Sequence, residues 1–462
     1  MFFESFLINL SVLAMLVIAL TFDYVTKFFN YWYVRHIPYK SSIPFFGSDY
    51  HRVLGVTTST NETKKLYSKY PKSKFVGRVK SRIPDLIVKD PDSVKRMLST
   101  DFANFHSRGL GLNKSQDVCL KNNVFYADGE KWNVLRATLE SLLNGLVFDV
   151  DIRNKLPGTN GDTSVRELLS NILDDIFKDM LLANENIEAF KEIRINLEKR
   201  TMVDKLKSYT KNIFPSVYTL LKLKTLSGRP SQSLEEQIKK SKIIKHIKMS
   251  GTMYNIGNKR EPVSEIEFTF STITSFITEG YIPIVTVLTA LLFELASNKD
   301  CQDKARSIVA KVNREDYLDL SIKEALRLHP PYSIITRQCV KSYQYPESKL
   351  TIDKRVTINV PIEAIHRDEE HYKEANVFNP DRFLDDDRVS KHCYAYLPFG
   401  AGPRRCIGES LALQIIRSIS KAILSNYELE KCDRTPSKLD LVDHNFGRII
   451  DKDIWLRFKR IN

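Results

Sequence analysis

The chain has 462 residues, 42% of them hydrophobic, and carries a formal net charge of +14 at pH 7. Its 70 basic and 56 acidic residues are interleaved and show no helix-turn-helix, RNA-recognition or finger spacing, so an anionic membrane surface or an acidic protein explains the excess better than nucleic acid. The six cysteines form no C-x-x-C pair, which argues against a disulfide framework or zinc site and fits a reducing compartment.

The first predicted element is an apolar helix at residues 5–22. These 18 residues carry no charge, which is just enough to cross a bilayer. Lys27, Arg35 and Lys40 follow the segment and no basic residue precedes it, which predicts a signal anchor whose downstream side faces the cytosol. The alternatives are a cleaved signal peptide, which usually has a basic start and a shorter apolar run, and a buried core helix, which usually has a polar face.

The segment after the anchor predicts contact with the membrane interface. The aromatic side chains expected at headgroup level are Phe28, Phe29, Tyr31, Trp32 and Tyr33. Pro38 and Pro44 begin a stiff linker. We therefore predict a transmembrane anchor at residues 1–26, an aromatic, basic and proline-containing linker at 27–46, and one large domain at 47–462.

The large domain is predicted to be mainly helical. Residues 74–79 and 85–88 have the pattern of a β-hairpin, and a helix is predicted to begin at Pro91. The pattern stays mostly helical to about residue 330, after which short β runs such as residues 356–360 appear. Helices with small peripheral sheets give a mainly α, α+β fold class.

Two residue pairs on predicted helices are candidates for a functional site. Trp132 and Arg136 are four residues apart, so they lie on one helix face. Glu324 and Arg327 are three apart on a helix that ends before Pro330. Taken alone, the second pair predicts no more than a surface salt bridge, which contributes little to stability.

The most informative segment is residues 399–408, FGAGPRRCIG. Cys406 lies in a glycine-rich turn, two positions after Arg404 and just before a helix predicted to begin near Glu409. Glycine permits left-handed backbone angles and close approach of a flat ligand. Arg404 and the first amides of the helix are expected to lower the pKa of the thiol. The pattern predicts a metal-bound thiolate; the alternative is a buried cysteine in an ordinary loop.

This segment resembles the haem-binding signature of the cytochrome P450 family, Phe-x-x-Gly-x-Arg-x-Cys-x-Gly. The residues at its fixed positions are Phe399, Gly402, Arg404, Cys406 and Gly408. The resemblance covers essentially the whole chain and is most specific to the microsomal, insect-type branch. It implies haem b, iron protoporphyrin IX, with Cys406 as the iron ligand.

The resemblance also implies roles for residues elsewhere in the chain. The residues implied at the haem edge and its anionic propionates are Trp132, Arg136, Arg337, Arg404 and, as a fourth arginine, Arg108. A buried ion network behind the cysteine loop is implied for Glu324, Arg327 and Arg382. Its implied role is folding and haem retention, because breaking a buried network leaves an uncompensated charge.

The central helix departs from the family pattern. Ile282 and Pro283 stand where the family normally carries an acid and an alcohol that deliver protons to bound dioxygen, and Ile284 follows them. Neither side chain can relay a proton, and Pro283 is expected to kink or widen the helix. Glu279 and Thr286 are the remaining candidates for proton delivery.

The resemblance leaves three functions open. The first is a monooxygenase of the endoplasmic reticulum membrane that inserts one oxygen atom into a lipophilic small molecule. Its catalytic domain would face the cytosol and receive electrons from NADPH through NADPH-cytochrome P450 reductase, with cytochrome b5 as a further partner. The second is a haem-thiolate hydroperoxide isomerase or lyase that needs no reductase. The third is a non-catalytic haem-binding relative.

The substrate is not specified by the sequence. Three segments are expected to line the pocket, at residues 110–113, 276–284 and 333–335. Their side chains are apolar and unspecific, as in most small-molecule sites.

Overall fold

The computed structural model describes residues 2–44, 46–80, 83–112, 114–148, 150–182, 187–198, 201–226, 232–244, 264–307, 317–346, 348, 350–384 and 393–461. Residue 113, expected at the pocket, lies outside these ranges. Two compact units emerge, one formed by Met1–Gly109 with Ile334–Ala364 and the other by Leu110–Ser333 with Ile365–Asn462.

Helices account for most of the regular structure. The α-helices are α1 Phe2–Thr26, α2 Tyr50–Val53, α3 Ser59–Lys69, α4 Pro91–Lys95, α5 Phe102–Phe105, α6 Val118–Lys121, α7 Gly129–Asn144, α8 Val165–Leu181, α9 Ile187–Glu198, α10 Met202–Ile213, α11 Pro215–Leu220, α12 Gln232–Lys240, α13 Glu265–Phe276, α14 Ile282–Ser297, α15 Lys299–Ser307, α16 Tyr317–Leu328, α17 Ile362–His366 and α18 Glu409–Leu424. The strands are β1 Phe75–Lys80, β2 Ile83–Val88, β3 Gly161–Ser164, β4 Ile335–Gln338, β5 Tyr343–Gln344, β6 Thr351–Ile352, β7 Thr357–Val360, β8 Tyr427–Lys431, β9 Leu441–His444, β10 Gly447–Ile450 and β11 Trp455–Arg460. The predicted mainly α fold class is confirmed.

Helix α1 is mostly apolar, and its side chains are exposed from residue 6 to residue 24. Residues Phe6–Thr26 have a mean hydropathy of 2.2, and Val25, next to the end of the helix, is buried. A second long apolar stretch, Glu265–Ser297, is 72% buried and therefore serves as a core helix. The first stretch is long enough to cross a bilayer, as the sequence predicted.

The first unit is built on a four-stranded sheet of order β1-β2-β7-β4. The β1–β2 hairpin is antiparallel, β2 pairs with β7 in parallel, and β7 pairs with β4 antiparallel. Asp85 on β2 pairs with Arg78 on β1 at 2.8 Å, and both side chains are buried. The sheet therefore encloses a compensated pair of charges.

Two of the five aromatic residues after α1, Tyr31 and Trp32, are buried in the first unit, whereas Tyr33 is exposed. Trp32 is fully buried, and its Nε1 donates a hydrogen bond of 2.7 Å to the carbonyl of Arg78. A Cβ on Gly77 would lie 2.3 Å from Trp32 Cγ, so the indole occupies space that only glycine leaves. The interfacial position predicted for Trp32 was wrong, because the missing side chain of Gly77 creates a site for its ring.

The second unit has its core around the central helix. Helix α14 packs against α8, α16 and α18 and against strands β8 and β10. Its buried side chains are almost all apolar, because every face of the helix meets another element. This arrangement places the segment preceding α14 inside the unit.

Helices α13 and α14 are joined by a π-helical turn, Ile277–Tyr281. Pro283, the second residue of α14, has no backbone N–H to donate to the carbonyl four residues earlier. The predicted widening of the helix is therefore found in the turn immediately before this proline. Wide turns of this kind are frequent at functional sites, and this one carries Glu279.

Candidate active site around Cys406

The loop that carries Cys406 is shaped by two glycines. Gly400 and Gly402 have φ angles of 73° and 70°, which side chains other than glycine rarely adopt. Gly402 opens a short 3-10 turn that ends at Arg404, and α18 begins at Glu409. The amide of Cys406 donates a hydrogen bond of 2.9 Å to the carbonyl of Phe399, which fixes the loop across its ends.

Cys406 is accessible to solvent, yet burial is the largest cause that raises the pKa of its thiol. Together these observations place the thiol in a recess of the protein. The amide of Gly408 and the charge of Arg136 lower the pKa, whereas the carboxylates of Glu409 and Glu279 raise it. The predicted net lowering of the pKa by Arg404 and the first amides of the helix was wrong, because burial outweighs the groups that favour the thiolate.

Trp132 on α7 lies between two arginines. The guanidinium carbons of Arg404 and Arg136 are 4.6 Å and 5.7 Å from the centre of an indole ring. Arg404 is buried and donates to the carbonyl of Ala127 and the carboxylate of Asp128 at 2.7 and 2.8 Å. Arg136 Nη1 donates to the carbonyl of Arg405 at 2.9 Å. Two cations are therefore held beside the cysteine loop.

Arg337 and Arg108 belong to the first unit. Arg337 lies on β4, is almost fully buried and donates from Nη1 to the carbonyl of Thr336 at 2.9 Å. Arg108 follows Ser107, which bridges to Gln338, and is partly buried.

Glu324 forms the centre of a buried ion network. Its two oxygens accept hydrogen bonds from Arg327 Nε and Nη2 at 2.7 and 2.8 Å. Oε1 also accepts from Arg382 Nε at 3.0 Å and from the amide of Asn379 at 2.9 Å. Glu324 and Arg327 are fully buried, so the pair is far from the exposed salt bridge that spacing alone predicted.

His366 joins this network to the segment that leads into the cysteine loop. Its Nε2 accepts a hydrogen bond of 2.9 Å from the amide of Leu397, and its Nδ1 lies 3.2 Å from the carbonyl of Arg327. Burial and the charge of Arg327 lower the pKa of His366 to about 3, so the ring is neutral. The sequence analysis assigned this histidine no role, since neither partner is near it in sequence.

Glu279 lies on the π-helical turn, in the same unit as Cys406. Its carboxylate raises the pKa of the Cys406 thiol, which places the two groups within electrostatic range of each other. The hydroxyl of Tyr332 donates a hydrogen bond to Glu279 Oε2. Tyr332 stacks on Phe125, with ring centres 5.7 Å apart, which holds the phenol in place. Tyr332 was missed by the sequence analysis.

The structure separates Thr286 from Glu279. The Thr286 hydroxyl is 3.1 Å from the carbonyl of Ile282 and 3.2 Å from that of Arg448, and the side chain is buried. Ile282 and Thr286 line a cavity of about 110 Å³ together with Ile450 and Asp451, and Glu279 is not among its lining residues. Since both acceptors of Thr286 are backbone carbonyls, the hydroxyl has a structural role in this arrangement.

The residues around Cys406 fit a haem group. The loop offers one accessible thiol, the kind of ligand that iron takes in haem-thiolate proteins. A Cβ on Gly408 would meet no atom within 4 Å, so space remains beside the cysteine. The cationic head groups of Arg136 and Arg404 provide the donors that two anionic propionates need.

Comparison with known proteins identifies a family and relatives of similar length. The family model described as cytochrome P450 matches residues 161–456. Cytochrome P450 6B1 of Papilio polyxenes is 28% identical over 90% of this chain and 93% of its own length. Cytochromes P450 6k1 and 9e2 of Blattella germanica are 25% and 24% identical, over 94% and 91% of this chain and 93% and 92% of their own lengths. The chain therefore belongs to the cytochrome P450 family of monooxygenases.

Proposed function

We propose that the chain inserts one oxygen atom from O2 into a lipophilic small molecule, with Cys406 as the proximal ligand of haem iron. The observation that carries the proposal is the accessible thiol of the Phe399–Cys406 loop, whose backbone is shaped by Gly400 and Gly402. When bound, the haem supplies dioxygen activation and oxygen-atom transfer.

Arg136 and Arg404 hold the propionates in this proposal, beside the indole of Trp132. Their existing partners, including Asp128 and the carbonyl of Arg405, fix both guanidinium groups in advance. The family resemblance adds Arg337 and Arg108 as further propionate partners. Preorganised, charge-assisted donors of this kind bind a dicarboxylate without new ordering of long side chains.

The network of Glu324, Arg327 and Arg382 has a supporting role. Through Arg327 and His366 it reaches the amide of Leu397, two residues before Phe399. The network therefore fixes the segment from which the cysteine loop departs. We infer that its loss releases haem rather than slowing a reaction.

Glu279 and Tyr332 are proposed as the proton-delivering pair. A phenol and a carboxyl group that share one hydrogen bond can hold a proton at Oη or Oε2 and pass it inward. The pair combines an acid and a hydroxyl, as the family pattern does, but the hydroxyl comes from the segment after α16. Thr286 is the less suitable candidate, because its hydroxyl is directed to backbone carbonyls.

We propose that residues 1–26 anchor the protein in the endoplasmic reticulum membrane and that the catalytic domain, residues 47–462, faces the cytosol. The exposed apolar length of α1 supports the anchor, and Lys27, Arg35 and Lys40 support the orientation. Apolar side chains are also exposed on α10 and α11, at Met202, Val203, Leu206, Val217 and Leu220. Electrons would come from NADPH through NADPH-cytochrome P450 reductase, with cytochrome b5 as a second donor.

A hydroperoxide isomerase or lyase is the second candidate function. It is favoured by Ile282 and Pro283 at the usual acid and alcohol positions and by the engaged hydroxyl of Thr286. A hydroperoxide substrate brings its own activated O–O bond and needs neither electrons nor a proton relay. The Glu279–Tyr332 pair favours the monooxygenase instead.

One preparation tests the proposal. Reduced protein with carbon monoxide should show the absorption of thiolate-bound haem, and Cys406→Ser should lose it. Substrate oxidation should then require NADPH and the reductase. A histidine-type spectrum would refute the ligand assignment, and consumption of a fatty-acid hydroperoxide without reductase would favour the second function.

A further inference from the structure

We propose that Lys211 binds the carboxylate of an amphiphilic substrate, so that the molecules oxidised at the site described above include fatty-acid-like anions. This inference deepens the proposed monooxygenase function and rests on it. It starts from a buried cation whose hydrogen-bonding capacity is mostly unused.

Lys211 lies on the inward face of α10 and is only 3% exposed. Its Nζ donates a hydrogen bond of 3.0 Å to the carbonyl of Asn445, between β9 and β10, and lies 4.6 Å from the centre of the Phe446 ring. Within the described part of the chain, no carboxylate oxygen lies within 4.0 Å of Nζ. An ammonium has three N–H donors, and a buried charge without an ionic partner is costly.

Three carboxylates lie near Lys211 or the cavity beside it and bond to other groups. Asp204, which lines the cavity, accepts from the amide and hydroxyl of Thr201 at 3.1 and 2.6 Å. Asp117 Oδ2 accepts from the hydroxyl of Tyr218 at 2.6 Å and from the amide and hydroxyl of Thr225 at 2.8 and 2.7 Å. Glu279 accepts from Tyr332. The carboxylates of Asp117 and Glu279 favour a charged Lys211, although burial has the larger effect and lowers the pKa of the amine. An anion in contact with Nζ would be attracted more strongly than the more distant carboxylates repel it.

A small polar cavity adjoins the ammonium. It has a volume of about 10 Å³, and its lining includes Lys211, Tyr218, Thr225 and Asn445. A space of this size takes one water-sized group, such as a carboxylate oxygen. The side-chain oxygen of Asn445 is buried without a hydrogen-bond donor in the described residues. With its side-chain amide turned over, Asn445 would offer a second N–H to the same anion.

The side chains near Lys211 suit the hydrocarbon part of a substrate whose carboxylate binds to this lysine. Leu112, Leu120, Tyr126 and Tyr218 form a buried cluster, with Leu110 and Phe125 packed against it. Phe125 also stacks on Tyr332, the partner of Glu279. Tyr218 belongs both to this cluster and to the lining of the cavity beside Lys211, so apolar and aromatic side chains lie between that cavity and the Glu279–Tyr332 pair. A carboxylate joined to a hydrocarbon has the matching chemistry.

The test uses haem-loaded, full-length protein in detergent or lipid nanodiscs. Dodecanoate and octadecenoate are titrated against their methyl esters, with binding followed by calorimetry and by the spin-state change of the haem spectrum. We expect each acid to bind about tenfold to a hundredfold more tightly than its ester, the range for a charge-assisted hydrogen bond. This comparison needs no variant.

The variants assign the effect to one side chain. Lys211→Met should remove the preference for the acid and leave ester binding unchanged, whereas Lys211→Arg should retain much of it. Lys205→Met is the matched control, because Lys205 is exposed on the same helix. Equal binding of acid and ester by the wild type, or an acid preference that survives in Lys211→Met, would overturn the proposal. The carbon monoxide spectrum of each preparation shows separately whether the thiolate-haem assignment holds.

Discussion

Replacing Arg327 tests whether the buried ion network supports the haem site. The side chain is fully buried and makes two hydrogen bonds to Glu324, two from Nη1 to the carbonyls of His366 and Ala375 at 2.5 and 2.7 Å, and a longer one from Nη2 to the carbonyl of Val377 at 3.3 Å. In Arg327→Ala, all five acceptor atoms lose this partner. Removing one partner of a buried pair costs about 3–5 kcal/mol. Because a domain has only about 5–15 kcal/mol in total, we expect little holoprotein and a much lower urea midpoint.

The neighbouring substitutions should form a graded series. Arg327→Lys keeps the charge but loses the fork that holds both oxygens of Glu324, so an intermediate loss is expected. Arg382→Ala removes only one of the four donors to Glu324 and should cost less. Lys323→Ala, on the same helix and partly exposed, is the control. The haem-to-protein ratio after purification and the urea midpoint are the measurements. Wild-type values for Arg327→Ala, or altered kinetics at full haem content, would refute the reasoning.

Three further predictions concern other parts of the molecule. Gly77→Ala should lower the thermal midpoint by an amount equivalent to about 1–3 kcal/mol, since the new Cβ would lie 2.3 Å from the indole of Trp32. Gly158→Ala is the control and should have little effect, because a Cβ there would meet no atom within 4 Å. Glu279→Gln and Tyr332→Phe should each increase the NADPH consumed per product, and unchanged coupling would exclude the pair from proton delivery. The free energy of unfolding should fall as pH decreases below 6.5 toward the folded-state pKa of His366 near 3, because the histidine of the unfolded chain takes up a proton first. The expected loss is about 2 kcal/mol at pH 5. His366→Gln should reduce this dependence on pH.

What the sequence predicted well depends on residues close together in the chain. The loop around Cys406 is set by glycines within a few positions, and the pairing of Glu324 with Arg327 follows from helical spacing. The apolar helix at the amino terminus is likewise a local property, and composition alone defines it. These features could be assigned before any tertiary structure was known.

What the sequence did not predict depends on contacts between distant segments. Tyr332 reaches Glu279 across 53 positions, and Lys211 reaches Asn445 across 234. Neither pair has a local pattern that would reveal it. The same limit explains the incorrect pKa direction for Cys406, because motif residues indicate which charges are near but not how much protein surrounds the sulfur.

The burial of Tyr31 and Trp32 within the first unit limits how far the rest of that unit can move from α1. Four residues, 27–30, separate the end of α1 at Thr26 from buried Tyr31, a stretch that spans at most about 18 Å even when fully extended. With α1 in a bilayer, this short connection keeps the rest of the first unit at the membrane surface, where it diffuses laterally and not through the bulk solution. Its encounters with another membrane-bound protein then depend on surface density in the membrane, so diluting both proteins with excess lipid should slow electron transfer at constant bulk concentration.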